Sequence, residues 1–287
     1  NVLVILTDDV GFGASSTFGG PIPTPTFDAL ARSGLRYNRF HTTAICSPTR
    51  ASLLTGRTPH DVGVGLVTNL ATGYPGYTSS IPKSAATVAQ LLRASGWSTA
   101  MFGKGHITPE WELSQAGPFD RWPTGLGFDY FYGFLGADSS AWEPWLTENT
   151  RNVAPPARLA DGSAYHLEGD LADHAVQWLE AQHAAAPSKP VFIYYATGAA
   201  HAPNHAPRAW LERFHGRFDA GWDRVRAETY ARQKAMGVIP RDAALSPRPA
   251  PLPAWDSLPA DRQRLYARFM ETYAASLAYA DSQIGRV

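Results

Sequence analysis

The chain has 287 residues, 44% of them hydrophobic, enough for one large α/β domain or two small ones around a sizeable core. Lysine plus arginine equals aspartate plus glutamate at 25 each, so no global field draws the chain to nucleic acid or an acidic membrane. Any anion site must be built locally, and no apolar run approaches the roughly 20 residues that span a bilayer.

Asn1 to Leu6 is a short run rich in valine and isoleucine that meets Thr7, Asp8 and Asp9. It reads as a buried parallel strand delivering polar residues at its carboxyl end, where ligands of open α/β sheets bind, and not as a signal peptide. Thr24 to Gly34 carries an N-cap candidate, an apolar stripe and a terminal glycine, so it reads as a short helix, with a second strand expected near Leu35 to Phe40. Ala86 to Ser95 is amphipathic at helical spacing, Gly96 ends it, and Ser98 to Phe102 is a strand leading to Lys104 and His106. Trp122 to Gly136 is rich in glycine and aromatics, which fits a packed loop walling a pocket, with most rings serving as core filler. A helix over Asp170 to Ala185 precedes an apolar strand, Pro190 to Tyr195, that ends near His201. Six prolines between Gly237 and Pro259 predict an irregular excursion between two helices, the second running from Arg262 to Ile284. Strands interleaved with helices argue for a layered, mainly parallel sheet, and no internal repeat interrupts the pattern.

The sharpest feature runs from Cys46 to Arg57: Cys46-Ser47-Pro48-Thr49-Arg50, then Leu54-Thr55-Gly56-Arg57. This C-x-P-x-R-x-x-x-L-T-G-R pattern resembles the signature of the type I sulfatases, formylglycine-dependent hydrolases of the alkaline phosphatase superfamily. The resemblance is greatest to bacterial arylsulfatases. It implies an alkaline-phosphatase-like α/β fold, bound calcium with magnesium as the alternative, and oxidation of Cys46 to formylglycine by a separate maturation enzyme. Chemistry gives the conversion a purpose. A serine attacking sulfur would leave a stable sulfate ester, whereas a hydrated aldehyde keeps a second hydroxyl whose deprotonation expels sulfate. Without the motif, a lone cysteine reads as a buried structural residue.

Adjacent carboxylates facing one site repel unless a cation compensates them, and a hard divalent ion with oxygen ligands suits Asp8 and Asp9. Alone, such a pair is equally a solvated turn or helix cap. The resemblance maps two metal aspartates onto these positions and adds an oxygen from modified Cys46. If the motif opens a helix, Arg50 falls on the same face as Cys46, where a guanidinium can hold the nucleophile's oxygen. A surface ion pair is the alternative for Arg50, and Arg57 takes a supporting role. Lys104 and His106, two residues apart after a strand, point the same way if the extension continues. Gly103-Lys104-Gly105-His106 resembles the family's G-K-x-H element, which implies a lysine on a sulfate oxygen and a histidine accepting the diol proton. His201 matches the family histidine that contacts sulfate and protonates the leaving alcohol. The His201 and His205 pair has zinc-like spacing, but Pro203 argues against the helix it needs. His60 is a candidate rim residue, and the remaining histidines carry no assigned role. Gly11, Gly13, Gly19 and Gly20 do not form a nucleotide-binding G-x-G-x-x-G loop.

The resemblance spans essentially the whole chain, but the family's remaining metal ligands and second lysine, which come from a later strand, have no counterpart here. The chain is therefore expected to be the N-terminal part of a sulfatase catalytic domain, continuing beyond residue 287. The expected activity is hydrolysis of small-molecule sulfate monoesters, with transient binding to the maturation enzyme. The alternatives are a phosphonate monoester or phosphodiester hydrolase of the same superfamily, and a catalytically silent binding module. A single cysteine excludes an intrachain disulfide, which leans weakly to the cytosol and leaves the periplasm or secretion open.

Overall fold

A computed structural model describes residues 1–287, which divide into two compact units. The first comprises residues 1–8, 41–198 and 287, and the second residues 9–40 and 199–286. No helix in either is long and apolar enough to cross a membrane.

The first unit is built on a six-stranded sheet of β1 (Val2–Leu6), β2 (Ser98–Lys104), β3 (Tyr130–Phe134), β4 (Leu146–Glu148), β5 (Arg151–Val153) and β6 (Val191–Ala196). Their order is β1-β6-β2-β3-β4-β5. The first four in this order are parallel, with Leu6 opposite Ala196 and Lys104 opposite Phe134, while β4 and β5 add an antiparallel edge. The strands β2 and β6 lie centrally and every residue in them is buried, as the continuous apolar character of Val191 to Ala196 requires. By contrast β1 is a sheet edge, so Val2 and Leu3 are exposed where a buried strand was expected.

Three helices belong to this unit: α2 (Cys46–Thr55), α3 (Val88–Ala94) and α4 (Leu167–Ala185), the label α1 being kept for an earlier helix of the second unit. A reciprocal cap starts α3: the Thr87 hydroxyl accepts from Gln90 N, and the Gln90 side chain accepts from Thr87 N. The core beneath is aromatic, with Trp122, Phe128 and Phe131 at most 1% exposed. These rings fill the core as expected, but the segment is not all loop, because it contains β3. Glycines hid that strand. At the Gly103–Gly133 pair the two strands approach so closely that a Cβ on Gly133 would fall 2.0 Å from the Gly103 carbonyl oxygen. Gly103 also takes φ +99, closed to most side chains.

The second unit is helical, with α1 (Pro25–Ser33), α5 (Arg208–Glu212), α6 (Gly221–Ala235) and α7 (Ala260–Ile284) around a core that includes Ile22, Phe214, Trp255, Ala274 and Leu277. Thr24 stands at the N-cap of α1 but its hydroxyl makes no cap bond. Instead the buried Asp281 of α7 accepts from Thr26 N and Phe27 N, each at 3.0 Å. A remote carboxylate thus satisfies the helix start. The segment 35–40 is not the expected strand: Leu35, Tyr37 and Phe40 are exposed, and Arg36 and Asn38 donate from their side chains to the carbonyls of Thr17 and Val238. It finds no strand to pair with. The proline-rich stretch is irregular between α6 and α7, as expected, apart from a single 3-10 turn at Trp255–Ser257.

Candidate active site

In the first unit, the carboxyl end of the sheet gathers a compact set of charges. Asp8 follows β1 and is 3% exposed, Lys104 ends β2 at 0% and Arg50 projects from α2 at 1%. Lys104 Nζ donates to Asp8 Oδ2 at 2.5 Å, and Arg50 Nη2 lies 3.5 Å from Asp8 Oδ1. Arg50 Nη1 donates to the Lys104 carbonyl at 3.1 Å and to the Tyr194 hydroxyl at 3.2 Å. Two buried cations therefore share one carboxylate, leaving an excess positive charge that desolvation makes costly unless an anion joins it. Arg50 Nε is also buried without a hydrogen-bond partner, a donor to spare.

Tyr194 was not singled out by sequence reasoning, because a tyrosine inside VFIYYA looks like core filler. Burial raises its pKa, with the Arg50 charge and hydrogen bond pulling the other way, and the phenol fixes the guanidinium from the central strand.

The signature does open a helix. Cys46 is the first residue of α2, partly exposed, and its Sγ lies 3.1 Å from His106 Nδ1. The sulfur stands where the oxygens of a formylglycine hydrate would project, so a proton acceptor is within reach of that position. The glycine at the end of the motif, Gly56, closes the helix in a left-handed cap, and Arg57 is exposed. His106 reaches Cys46 by another route than strand alternation. The extension stops at Lys104, and His106 adopts φ +45, held there by its amide donating to the Leu135 carbonyl and by Gly105 N donating to Phe134 O.

The remaining predicted residues belong to the second unit. Asp9, with φ +54, has Oδ2 3.6 Å from His201 Nε2. His201 Nδ1 lies 2.6 Å from the Ala202 carbonyl, which can only accept, so the proton of a neutral ring sits on Nδ1 and Nε2 faces Asp9. Two further residues support this pair and were not anticipated: Tyr273 donates to the Asp9 carbonyl at 2.9 Å, and Asn204 Nδ2 donates to the carbonyls of Ala200 and His201. Neither carries a sequence signal beyond its type. His60 is exposed in the first unit and meets Tyr77 edge-on.

The donors suited to a hard cation are the carboxylates of Asp8 and Asp9, which match its preference for oxygen. Nowhere do three or more histidine, cysteine, aspartate or glutamate side chains gather as a ready ligand set, and Asp8 is bound to Lys104 and Arg50. The two aspartates fit the chemistry of such an ion as a partial set.

Comparison with known proteins identifies the family. The Sulfatase family profile matches residues 1–287. An arylsulfatase of Klebsiella aerogenes is 32% identical over 99% of this chain and 61% of its own length, and human arylsulfatase A is 31% identical over 74% of this chain and 43% of its own. An uncharacterized sulfatase of Schizosaccharomyces pombe is 31% identical over 100% of this chain and 53% of its own length. Among solved structures, a protein in complex with its substrate D-glucosamine-2-N,6-O-disulfate superposes with TM-score 0.66 at 20% identity, over 100% of this chain and 60% of that one. The chain thus spans about half to three-fifths of the length of the relatives it matches most fully, and its mainly parallel sheet with flanking helices is the alkaline-phosphatase-like fold of its structural neighbours. On its signature, its fold and a match running from end to end, this chain belongs to the sulfatase family.

Proposed function

We propose that the protein hydrolyses sulfate monoesters of the arylsulfatase type, using formylglycine made from Cys46 and a calcium ion, or magnesium, held in part by Asp8, Asp9 and an oxygen of residue 46. The observation that carries this reading is the buried excess of positive charge at Arg50, one helical turn after a partly exposed Cys46, and at Lys104, two residues before the His106 that Cys46 contacts. A hydrated formylglycine supplies one hydroxyl to attack sulfur and a second whose proton can be removed to release sulfate. The bound cation supplies charge to the sulfate oxygens.

The chain's own residues do the rest. Lys104 places a compact charge and Arg50 a planar one against the sulfate, and both are already oriented by Asp8 and Tyr194, so little reorganisation is needed as negative charge develops. His106 Nδ1, beside residue 46, accepts the proton whose loss releases sulfate. His201, whose Nε2 faces Asp9 Oδ2, delivers a proton to the departing alcohol oxygen. A formylglycine-generating enzyme is the partner that the chemistry requires.

The test is Cys46→Ala, assayed on 4-nitrophenyl sulfate and 4-nitrophenyl phosphate with protein from a host that performs the modification. Turnover of the sulfate should fall to background while circular dichroism stays unchanged, and intact mass should show the thiol-to-aldehyde conversion in the parent. Near-normal activity of the alanine variant refutes the nucleophile, and a higher kcat/KM for the phosphate ester refutes the sulfatase assignment.

A further inference from the structure

The second unit contains a cavity of about 790 Å³, in the range of about 300 to 1,000 Å³ typical of small-molecule pockets. Its walls come from the loop after Asp9 (Phe12, Gly13), from α6 (Trp222) and from α7 (Phe269, Tyr273), with Trp255 of the proline-rich excursion closing one side. Three polar tips of this lining are already engaged. Trp222 Nε1 donates to Pro253 O, Tyr230 OH to Ala243 O, and Arg226, the one charged side chain of the lining, to the carbonyl and hydroxyl of Ser246. Apart from the Gln233 amide and the Tyr266 hydroxyl, the rest of the lining is ring faces and aliphatic carbon, which recognise an uncharged, largely apolar occupant.

The cavity borders the Asp9 and His201 pair through two of its lining residues. Tyr273, which lines it, donates to the Asp9 carbonyl, and Asn204, which also lines it, donates to the His201 carbonyl. In the sulfatase reading, on which this inference rests, the ester's bridging oxygen must lie at His201 to receive its proton. The carbon skeleton beyond that oxygen then extends where the second unit offers room. We infer that this cavity receives the alcohol portion of the substrate, and that the preferred esters are sulfates of bulky, uncharged, ring-bearing alcohols, in contrast to hydroxyl-rich sugars. The proline-rich stretch 237–259 acquires a purpose here, since it carries Leu245 and Trp255 into the wall.

Phenyl sulfate and 4-biphenylyl sulfate separate this from simple sulfatase activity, because their leaving groups differ in bulk far more than in acidity. The parent should favour the biphenylyl ester in kcat/KM by about tenfold or more, the return on burying a second ring. Gly13→Leu fills the cavity without harming the fold: a Cβ at Gly13 meets only Thr229 Cγ2 at 3.7 Å and Gln233 Nε2 at 3.8 Å, both ordinary contacts. It should bring the ratio to about one while phenyl sulfate keeps its kcat/KM within about threefold. Phe269→Ala, at a 57% exposed position, should reduce the ratio in the same direction. Calorimetric titration with 4-phenylphenol reads the cavity without turnover, with binding in the parent and none in Gly13→Leu. Phenyl sulfate turnover with a ratio near one, or no binding of 4-phenylphenol, overturns the cavity assignment and leaves the sulfatase reading standing. Absence of turnover of both esters overturns the sulfatase reading, and with it the alcohol as occupant.

Discussion

Asp8 is held by two cations and shields each from the other. Because all three groups are nearly free of solvent contact, the balance between them outweighs any single pair. Asp8→Ala leaves two unpaired buried positive charges, and we expect it to destabilise the first unit by about 3–5 kcal/mol. Adding Lys104→Met removes one of them and should restore part of that loss. Chemical denaturation of the two single variants and the double variant in the presence of a chelator measures the coupling, and strictly additive effects would disprove it. The chelator matters, since a cation on Asp8 would otherwise contribute to the parent's stability.

At the scale of elements, α4 is fastened to the sheet by a polar cluster. Asp170 accepts from the Tyr132 hydroxyl at 2.7 Å and the Tyr165 hydroxyl at 3.1 Å, and the His174 ring stacks on Tyr132 with centroids 3.6 Å apart. Burial opposes a charge on His174, but the hydrogen bond and attraction of Asp170 win, so its pKa lies above 6.5. The folded state therefore holds this proton more tightly than the unfolded chain, and the resulting stability is fully present below about pH 6.5 and is lost as pH rises through the folded value. His174→Gln should melt below the parent at pH 6, with the gap narrowing by pH 8.5. A constant gap in melting temperature across that range refutes the linkage.

Most elements were legible because their signals are local. The apolar run of β6, the amphipathic spacing of α3 and the helix that begins at Cys46 all lie within a few residues of chain. Three features were not, and each depends on distant partners. The strand β3 looked like a loop because Gly133 serves a neighbouring strand, and Leu35 to Phe40 looked like a strand although no strand lies beside it. Asp281 replaces Thr24 at the start of α1 from far along the chain. The site shows the same division. Cys46, Arg50, Lys104 and His106 stand in two short motifs, whereas Tyr194, Tyr273 and Asn204 act through contacts that no motif records.

At the scale of the whole molecule, two compact units hold different groups: Asp8, Cys46, Arg50, Lys104 and His106 lie in the sheet-based unit, His201 and the apolar cavity in the helical one. Within the sheet, protection from solvent should follow strand order. The amides of β2 and β6 should exchange most slowly and those of β5 most rapidly, with β1 between them because its outer side is unpaired. Hydrogen–deuterium exchange with residue-level resolution checks this, and protection of β5 equal to that of β6 contradicts it.

The contact between Gly103 and Gly133 has a reach that its plainness conceals. Lys104 and His106 hang from the same short stretch of main chain, so whatever sets the position of residue 103 sets the Lys104–Asp8 and His106–Cys46 contacts at once. Two hydrogen atoms, at positions where every other amino acid carries carbon, thus govern the alignment of both side chains, although neither glycine has a functional group of its own.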